Sequence, residues 1–290
     1  MIDEATDIAG VRIRRVAALP EALEGAVRTG PYSTARPGAL LRIVPGTGRF
    51  LARDGEAIDY APEPDADAQA VEAALCGAVL GALIHQRGEL PLHATTLVSP
   101  DRTFALALAG HSGAGKSTTA YALIRRGWIL LSDDLTRVTL EGGKAHAWPG
   151  RSRLRLVSDA CEFFGLDPAT LIPAPDWPGK YGLQLPRWPV PLPLLAMAGL
   201  ERTWASFELR RATGAAAMRI LAEHSYRGHY VDALGQRRRH FELIAAVARS
   251  TAVFGSAGRA GIDEVAASIA RAAIRLTAES GRVNSAPDRT

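Results

Sequence analysis

An eight-residue segment, Gly-His-Ser-Gly-Ala-Gly-Lys-Ser at positions 110–117, constrains the fold of this chain more than any other feature. It matches the pattern G-x-x-x-x-G-K-[S/T] and lies between an apolar run over residues 103–109 and a helical pattern over residues 116–126. Its glycines let the backbone curve around phosphates with N–H groups pointing inward, and the helix N-terminus adds partial positive charge. The segment therefore predicts a nucleoside-triphosphate site that consists of Gly110, His111, Ser112, Gly113, Ala114, Gly115, Lys116, Ser117 and Thr118.

The lysine of this segment is one of only three in the chain, the others being Lys144 and Lys180, among many arginines. A compact ammonium on a flexible stem fits beneath a phosphate chain where a planar guanidinium would not. We therefore expect Lys116 to reach the β- and γ-phosphates of ATP and the Ser117 hydroxyl to bind Mg²⁺.

Two adjacent carboxylates follow the next apolar run, which covers residues 128–131. If both strands belong to a parallel sheet, their ends open on the same edge, and Asp133 and Asp134 lie beside the glycine-rich segment. Near Mg²⁺ one carboxylate can hold the metal while the other accepts a proton from an attacking hydroxyl. The plainer alternative is an Asp-Asp turn that leads into the hairpin of residues 135–148.

The remaining pattern divides the chain into four parts. Residues 1–67 contain short apolar runs separated by turn signals and are expected to form a small β-rich region, with a Pro-rich linker over residues 60–67. Residues 68–87 are typical of a buried connecting helix, and residues 88–277 of an α/β catalytic domain. Residues 149–193 are irregular and proline-rich, and residues 278–290 are polar and expected to be disordered.

The charge distribution limits the classes of ligand or partner that the protein is expected to bind. Residues 1–90 carry 9 basic and 13 acidic residues, and the remainder carries 25 basic and 17 acidic residues. A moderately basic main domain fits a phosphorylated ligand or an acidic peptide, but it is not basic enough to indicate nucleic-acid binding. No segment is typical of a membrane span or a signal peptide, and Cys76 and Cys161 lack a metal-binding spacing. We therefore expect a cytoplasmic protein with two ordinary thiols.

The chain resembles the catalytic domain of HPr kinase/phosphorylase and its shorter relatives. The resemblance rests on Leu92-His93, the glycine-rich segment, Arg126-Gly127 and the Leu-Ser-Asp-Asp run of residues 131–134, and it extends over residues 88–255. It implies an α/β core of the HPr kinase and phosphoenolpyruvate carboxykinase type. It also implies that His93 lies beside the transferred phosphate, that Asp134 is the general base, and that Lys116 and Ser117 keep their usual parts. We expect Ser117 and Asp133 to bind magnesium, with the choice between Asp133 and Asp134 left open.

The sequence also departs from this family. The acidic motif that supplies a further metal-binding glutamate, and the Pro/Gly/Arg-rich loop linked to the reverse reaction, are not recognisable. The first 67 residues do not resemble the regulatory domain of the full-length enzymes, so HPr itself is not the expected substrate. Some shorter relatives phosphorylate precursor peptides in lasso-peptide biosynthesis, which favours a peptide Ser or Thr hydroxyl, including a C-terminal serine. Three alternatives remain open: an ATPase or nucleotide switch, a small-molecule kinase of the carboxykinase type, and a non-catalytic scaffold. A homo-oligomer is also open.

Three further sets of basic residues are candidate contacts for phosphate or substrate. Arg151, Arg153 and Arg155 alternate as on one face of a strand, and a solvated strand face is the equal alternative. Lys180 lies in a loop and is expected near the active site. The run Arg-Arg-Arg-His at positions 237–240 opens a helix at the end where basic residues are unfavourable, so it can bind an anion or be a solvated face.

Overall fold

The computed structural model describes residues 11–174, 178–201, 206–258 and 260–283, with side chains described up to residue 278 in the last range. In this part of the chain the protein is a mixed α/β structure with several sheets. The strands are β1 (Arg12–Arg15), β2 (Val27–Gly30), β3 (Ser33–Arg36), β4 (Ala39–Val44), β5 (Gly48–Arg53), β6 (Ala57–Pro62), β7 (Leu90–Leu92), β8 (Ala94–Val98), β9 (Ala105–Gly110), β10 (Ile129–Ser132), β11 (Thr136–Glu141), β12 (Lys144–Ala147), β13 (Arg153–Val157), β14 (Ile172–Pro173), β15 (Lys180–Gln184), β16 (Leu192–Leu200), β17 (Glu208–Ala212) and β18 (Ala252–Ala257). The α-helices are α1 (Ala68–Ala74), α2 (Leu80–Gln86), α3 (Lys116–Ile124), α4 (Ser158–Phe164), α5 (Gly214–Glu223), α6 (Arg237–Ser250) and α7 (Ile262–Val283).

The first six strands form one sheet in the order β1-β6-β5-β4-β3-β2. Its successive strands from β2 to β6 are antiparallel neighbours, and β1 adds to β6 in parallel. Phe50, Ala52 and Ile58 are fully buried and pack against the helical segment that follows. The sheet therefore rests one face on the connecting helix, as the alternation of apolar residues in β5 favours.

The helical segment Ala68–Gln86 is long and apolar enough to cross a membrane by length and composition, and 67% of its most apolar window is buried within the protein. Its side chains form one core cluster with the N-terminal sheet. The segment is interrupted at Gly77, whose φ of −101° and ψ of −108° are not helical, between α1 and α2. The helix predicted near residues 68–87 is thus confirmed, but its interruption was not predicted.

The central sheet has nine strands, with a path β10-β8-β9-β16-β12-β11-β7 and with β18 and β17 continuing from β16. Both faces of β9 are buried: Leu106 and Leu108 pack with α3 and α7, whereas Ala105 and Ala107 pack with α5 and α6. A strand covered on both faces reads as a continuous apolar run, which explains the sequence before the glycine-rich loop.

Strand direction decides which residues reach the loop. β9 runs parallel to β16, and β16 runs parallel to β18. β8 lies between β9 and β10 and is antiparallel to both, so β9 and β10 point the same way without being neighbours. The sheet is therefore mixed rather than purely parallel, and the ends of β9 and β10 share an edge without the two strands being neighbours. Because β8 is reversed, its beginning, directly after His93, lies at that edge as well.

The prediction that residues 149–193 are irregular was wrong in part. It contains α4 and a small antiparallel sheet in the order β13-β15-β14. The central strand β16 was also missed, because prolines at 189, 191 and 193 surround its start. The disordered tail predicted from residue 278 is wrong for residues 278–283, which continue α7, and residues 284–290 lie outside the described part.

Candidate functional site

The glycine-rich loop connects the end of β9 to the start of α3 at Lys116. Gly113 and Gly115 have φ values of 82° and 94°, in the left-handed region that side chains with a Cβ rarely adopt. Gly110 has a steric requirement too, because a Cβ there would lie 2.6 Å from the carbonyl oxygen of Leu200 on β16. Local sequence thus fixes a tight turn that presents the N-terminus of α3 to a cleft, the geometry that attracts phosphate groups.

The ammonium of Lys116 folds back onto this loop. Its Nζ donates to the carbonyl oxygen of Gly110 at 2.6 Å and, more weakly, to that of His111 at 3.4 Å. Burial lowers the pKa of Lys116, and the charges of Asp134 and Asp133 oppose that shift. Both acceptors are neutral carbonyls, so an anionic phosphate is the stronger partner for this ammonium.

Asp133 directly follows β10 and is buried. One of its carboxylate oxygens accepts from Thr95 Oγ1 at 2.6 Å and the other from the Arg155 backbone N–H at 3.1 Å. Burial raises the pKa of Asp133, and the charge of Asp134 raises it further. A carboxylate has about four lone-pair positions, so two hydrogen bonds fix its orientation and leave capacity for a cation.

Asp134 is half-exposed and contacts His93, with 3.4 Å between Oδ1 and His93 Nε2. Its φ of 69° turns the chain sharply after the buried Asp133, so the two carboxylates have different environments. Burial alone would raise the pKa of Asp134, but the hydrogen bond and charge of His93 outweigh it and the pKa is lowered. Asp134 is therefore an ionised carboxylate with access to the cleft.

A segment after α5, residues 224–230, holds His93 in place and was not identified from the sequence. The His93 N–H donates to the His224 carbonyl oxygen at 2.8 Å, and the Tyr226 N–H donates to that of Pro91 at 2.8 Å. The rings of His93 and Tyr226 meet edge to face, 5.6 Å between centres. The run His-Ser-Tyr-Arg-Gly-His-Tyr at positions 224–230 was the available signal, because it concentrates histidine, tyrosine and arginine directly after a helix.

These groups surround one cleft of about 1200 Å³. Its lining includes the predicted residues His93, His111, Ser112, Gly113, Ala114, Gly115, Lys116, Ser117, Thr118, Asp133, Asp134, Arg155 and Lys180. The lining also includes the apolar side chains of Val157, Phe163 and Val265, together with residues 222–223 and 225–229. In the described part of the chain, no group of three or more His, Cys, Asp and Glu side chains is placed to hold a metal.

Two sets of predicted basic contacts lie elsewhere. Arg153 lines a separate small pocket with Arg151, whose guanidinium is paired with Glu72 at 3.0 Å. That Arg153 contacts phosphate or substrate stays a prediction. The alternation on β13 buries Leu154 and Leu156 and leaves only the third arginine of the set at the cleft. The arginines that open α6 form surface ion pairs, Arg237 with Asp232 and Arg238 with Glu242.

Two glycines of the kinked helix make room for Tyr226. A Cβ on Gly77 would lie 3.2 Å from the Tyr226 hydroxyl, and one on Gly81 would lie 2.8 Å from its ring. We expect Gly81→Val to displace Tyr226 and lower the free energy of unfolding by about 2–3 kcal/mol, the usual cost of overpacking a core. Urea denaturation would measure it, with Gly30→Ala as control because a Cβ there meets nothing within 4 Å. Equal stability of the two variants would contradict this role for Gly81.

Two buried histidines near this segment predict acid sensitivity. His85 bonds the Tyr226 carbonyl through Nε2 at 2.9 Å, and burial lowers the pKa of His85 to about 4. Burial and the neighbouring His111 likewise lower the pKa of His224 to about 4. Each folded-state pKa lies below the unfolded value of about 6.5, so stability is full above pH 6.5 and falls towards pH 4. We expect each histidine to cost on the order of 1–2 kcal/mol at pH 5, measured by urea denaturation at pH 7 and pH 5. In His85→Gln the pH dependence should be smaller; an unchanged dependence would contradict the assignment.

Comparison with known proteins adds little to this geometry. No family model matches the sequence, and no curated protein is similar to it. The structure is similar to the HPr(Ser) kinase/phosphatase from Coxiella burnetii with a TM-score of 0.35 and 13% sequence identity, covering 67% of this chain and 95% of that chain. A similarity at this level assigns no activity, so the function has to be derived from the cleft itself.

Proposed function

We propose that this protein is an ATP- and Mg²⁺-dependent kinase, with a P-loop core of the HPr kinase and phosphoenolpyruvate carboxykinase type, that phosphorylates a Ser or Thr hydroxyl of a peptide or protein. One observation carries the proposal. One sheet edge brings together the glycine-rich loop with its lysine, two aspartates in different environments and a histidine, around a cleft of about 1200 Å³. Phosphoryl transfer depends mainly on such positioning and electrostatic stabilisation.

The glycine-rich loop forms the end of the cleft that would bind the phosphates. Its backbone N–H groups and the N-terminus of α3 face the β- and γ-phosphates of ATP, and Lys116 exchanges its carbonyl partners for phosphate oxygens. The ammonium then stabilises the negative charge that spreads over the transferred group.

Ser117 and Asp133 are the residues that would hold magnesium. The ion fits them because the Asp133 carboxylate is held in place by two hydrogen bonds and retains free lone pairs. Burial and the neighbouring negative charge of Asp134 also raise the pKa of Asp133, and a bound cation would offset both effects. When bound, magnesium supplies positive charge to the phosphate oxygens.

Asp134 and His93 act on the hydroxyl that accepts the phosphoryl group. The Asp134 carboxylate is ionised and reaches the cleft, so it can accept the proton of an attacking hydroxyl as the oxygen–phosphorus bond forms. His93 holds that carboxylate, and its own position is fixed by residues 224–226. The phosphorylated hydroxyl and ADP leave as products.

A labelling experiment tests the proposal. The purified protein is incubated with Mg²⁺, γ-labelled ATP and a mixture of serine- and threonine-containing peptides, and the label is followed by mass spectrometry. We expect label on a peptide hydroxyl. Label released only as free phosphate would instead identify an ATPase or a nucleotide switch. Label on a metabolite added from a cell extract would identify a small-molecule kinase. ATP binding without turnover would identify a non-catalytic scaffold. That the acceptor is a lasso-peptide precursor stays a prediction, which a precursor-peptide sequence with a C-terminal serine would test directly.

A further inference from the structure

Two large apolar side chains are exposed inside the cleft. Phe163 on α4 is 60% exposed and Val157 at the end of β13 is 42% exposed, and both belong to the cleft lining. Among the large apolar side chains that are exposed in the described part of the chain, the cleft lining includes these two alone. Single exposed apolar side chains are common on protein surfaces, whereas two in one concave site are typical of a ligand pocket.

The local structure turns both side chains towards the cleft. Side chains alternate along β13, so Arg155 and Val157 line the cleft while Leu156 between them is buried. The chain then enters α4, where Ala160 and Phe163 are three residues apart and share one face of the helix. Both of these residues line the cleft as well. The end of β13 and the start of α4 therefore present a continuous surface to the cleft.

The ring of Phe163 is held near the glycine-rich loop by other aromatic rings. It meets the ring of Phe164 edge to face, with 4.9 Å between the ring centres. The ring of Phe164 meets that of Tyr121 in the same way, with 4.8 Å between the centres. Tyr121 belongs to α3, five residues after Lys116, which is about 7–8 Å along the helix axis. These contacts fix one edge of the Phe163 ring and leave the rest of it exposed.

The first turn of α7 adds more apolar surface to this part of the protein. Ile262 and Val265 line the cleft and pack against the same core cluster as Phe164. Gly258 and Ala260, in the connection from β18 to α7, line the cleft without a bulky side chain. We refer to four residues together as the apolar subsite: Val157, Phe163, Ile262 and Val265.

The apolar subsite and His93 are positioned from opposite faces of the central sheet. The helices that carry or support the subsite, α3, α4 and α7, contribute to the core cluster on one face. On the other face, α5 and α6 contribute to a second cluster. His93 is held by the backbone of His224, directly after α5. The apolar subsite thus belongs to the part of the cleft beside α3, whereas the proposed proton acceptor and its histidine belong to the part beside α5.

We propose that the apolar subsite binds the purine base of the nucleotide, that Phe163 stacks on this base, and that the protein therefore prefers purine to pyrimidine nucleotides. The subsite deepens the proposed kinase function and rests on it for the identity of the ligand. A base has a flat apolar face, and its stacking on an aromatic ring contributes about tenfold or more to affinity. The cleft of about 1200 Å³ leaves room for an acceptor in addition to the nucleotide.

Isothermal titration with three probes tests the subsite without requiring catalysis. The probes, each with Mg²⁺, are a non-hydrolysable ATP analogue, the corresponding CTP analogue, and inorganic tripolyphosphate, which has no base. We expect the ATP analogue to bind at least about fivefold more tightly than the CTP analogue, because a purine offers more surface for stacking. Phe163→Ala should weaken binding of the ATP analogue by about tenfold and leave binding of tripolyphosphate within about twofold. Phe163→Trp keeps an aromatic ring and should retain the affinity for the ATP analogue.

Phe241→Ala is the matched control, because Phe241 on α6 is 64% exposed and is not part of the cleft lining. It should change none of the three affinities. Phe163 is itself exposed, so its replacement does not threaten the fold. The proposal is overturned if Phe163→Ala binds the ATP analogue normally, or if it loses the ATP analogue and tripolyphosphate equally. It is also overturned if the variant impairs only the use of a peptide acceptor, which would assign the subsite to an apolar side chain of the acceptor.

The two proposals fail separately. A preference for the ATP analogue that depends on Phe163, with no label transferred from ATP to any peptide, keeps the subsite and rejects the kinase. Label transfer to a peptide that proceeds with an unchanged KM for ATP in Phe163→Ala keeps the kinase and rejects the subsite.

Discussion

Lys116→Ala is expected to abolish phosphoryl transfer and to weaken the binding of Mg²⁺-ATP at the same time. The ammonium is the side-chain cation of the glycine-rich loop, and among the residues that the structure describes its hydrogen bonds go to backbone carbonyls alone, so it is available to phosphate oxygens. Removal of a charged hydrogen bond should weaken nucleotide binding by about tenfold to a hundredfold. Loss of charge stabilisation in the transition state should lower the turnover rate by about a further 10²–10³-fold. Isothermal titration with the ATP analogue and the label-transfer assay measure the two effects.

The control for this prediction is Lys144→Ala, at the exposed first residue of β12. It removes the same side chain from a position outside the cleft and should leave both measurements unchanged. Lys116→Arg keeps the charge but replaces a compact ammonium with a wide planar group, so we expect it to be nearly as inactive as Lys116→Ala. Unchanged nucleotide affinity and turnover in Lys116→Ala would remove the loop from the proposed site.

The sequence indicated the centre of the candidate site because the residues proposed to act there lie in short segments. The glycine-rich loop requires glycine at fixed spacings, a strand before it and a helix after it, and each requirement is readable within about 25 residues. Likewise, Asp133 and Asp134 stand out because two adjacent carboxylates that end an apolar strand need a reason to be there. The structure brings both carboxylates, Lys116 and His93 to one cleft.

What the sequence did not predict depends on contacts between distant segments. The position of β8 between β9 and β10 follows from strand order and leaves no local pattern. Residues 224–230 join the site only because their backbone pairs with residues 91–93. Similarly, the alternation in β13 was visible, but only the fold shows that Arg155 reaches the cleft while Arg153 does not.

The second large effect is expected for Asp134→Asn, which should keep nucleotide binding and lose transfer. Asparagine adopts the left-handed conformation of residue 134 as readily as aspartate, and its amide oxygen can still contact His93. An amide cannot accept the proton of an attacking hydroxyl, so the turnover rate should fall by about 10²–10⁴-fold. The affinity for Mg²⁺-ATP should stay within about threefold of the original, because the loop and Lys116 are untouched.

Asp54→Asn is the matched control for the backbone, since Asp54 has a φ of 54° at an exposed turn of the N-terminal sheet. It should leave transfer unchanged.

Asp133→Asn tests which of the two carboxylates accepts the proton and which binds the metal. Both Thr95 and the Arg155 N–H donate to Asp133, so an amide group there would face a donor and lower stability as well as the affinity for Mg²⁺. If Asp134→Asn retained normal turnover while Asp133→Asn bound Mg²⁺-ATP normally and lost transfer, the proton acceptor would be the buried carboxylate, and Asp134 would be the residue left to serve the metal.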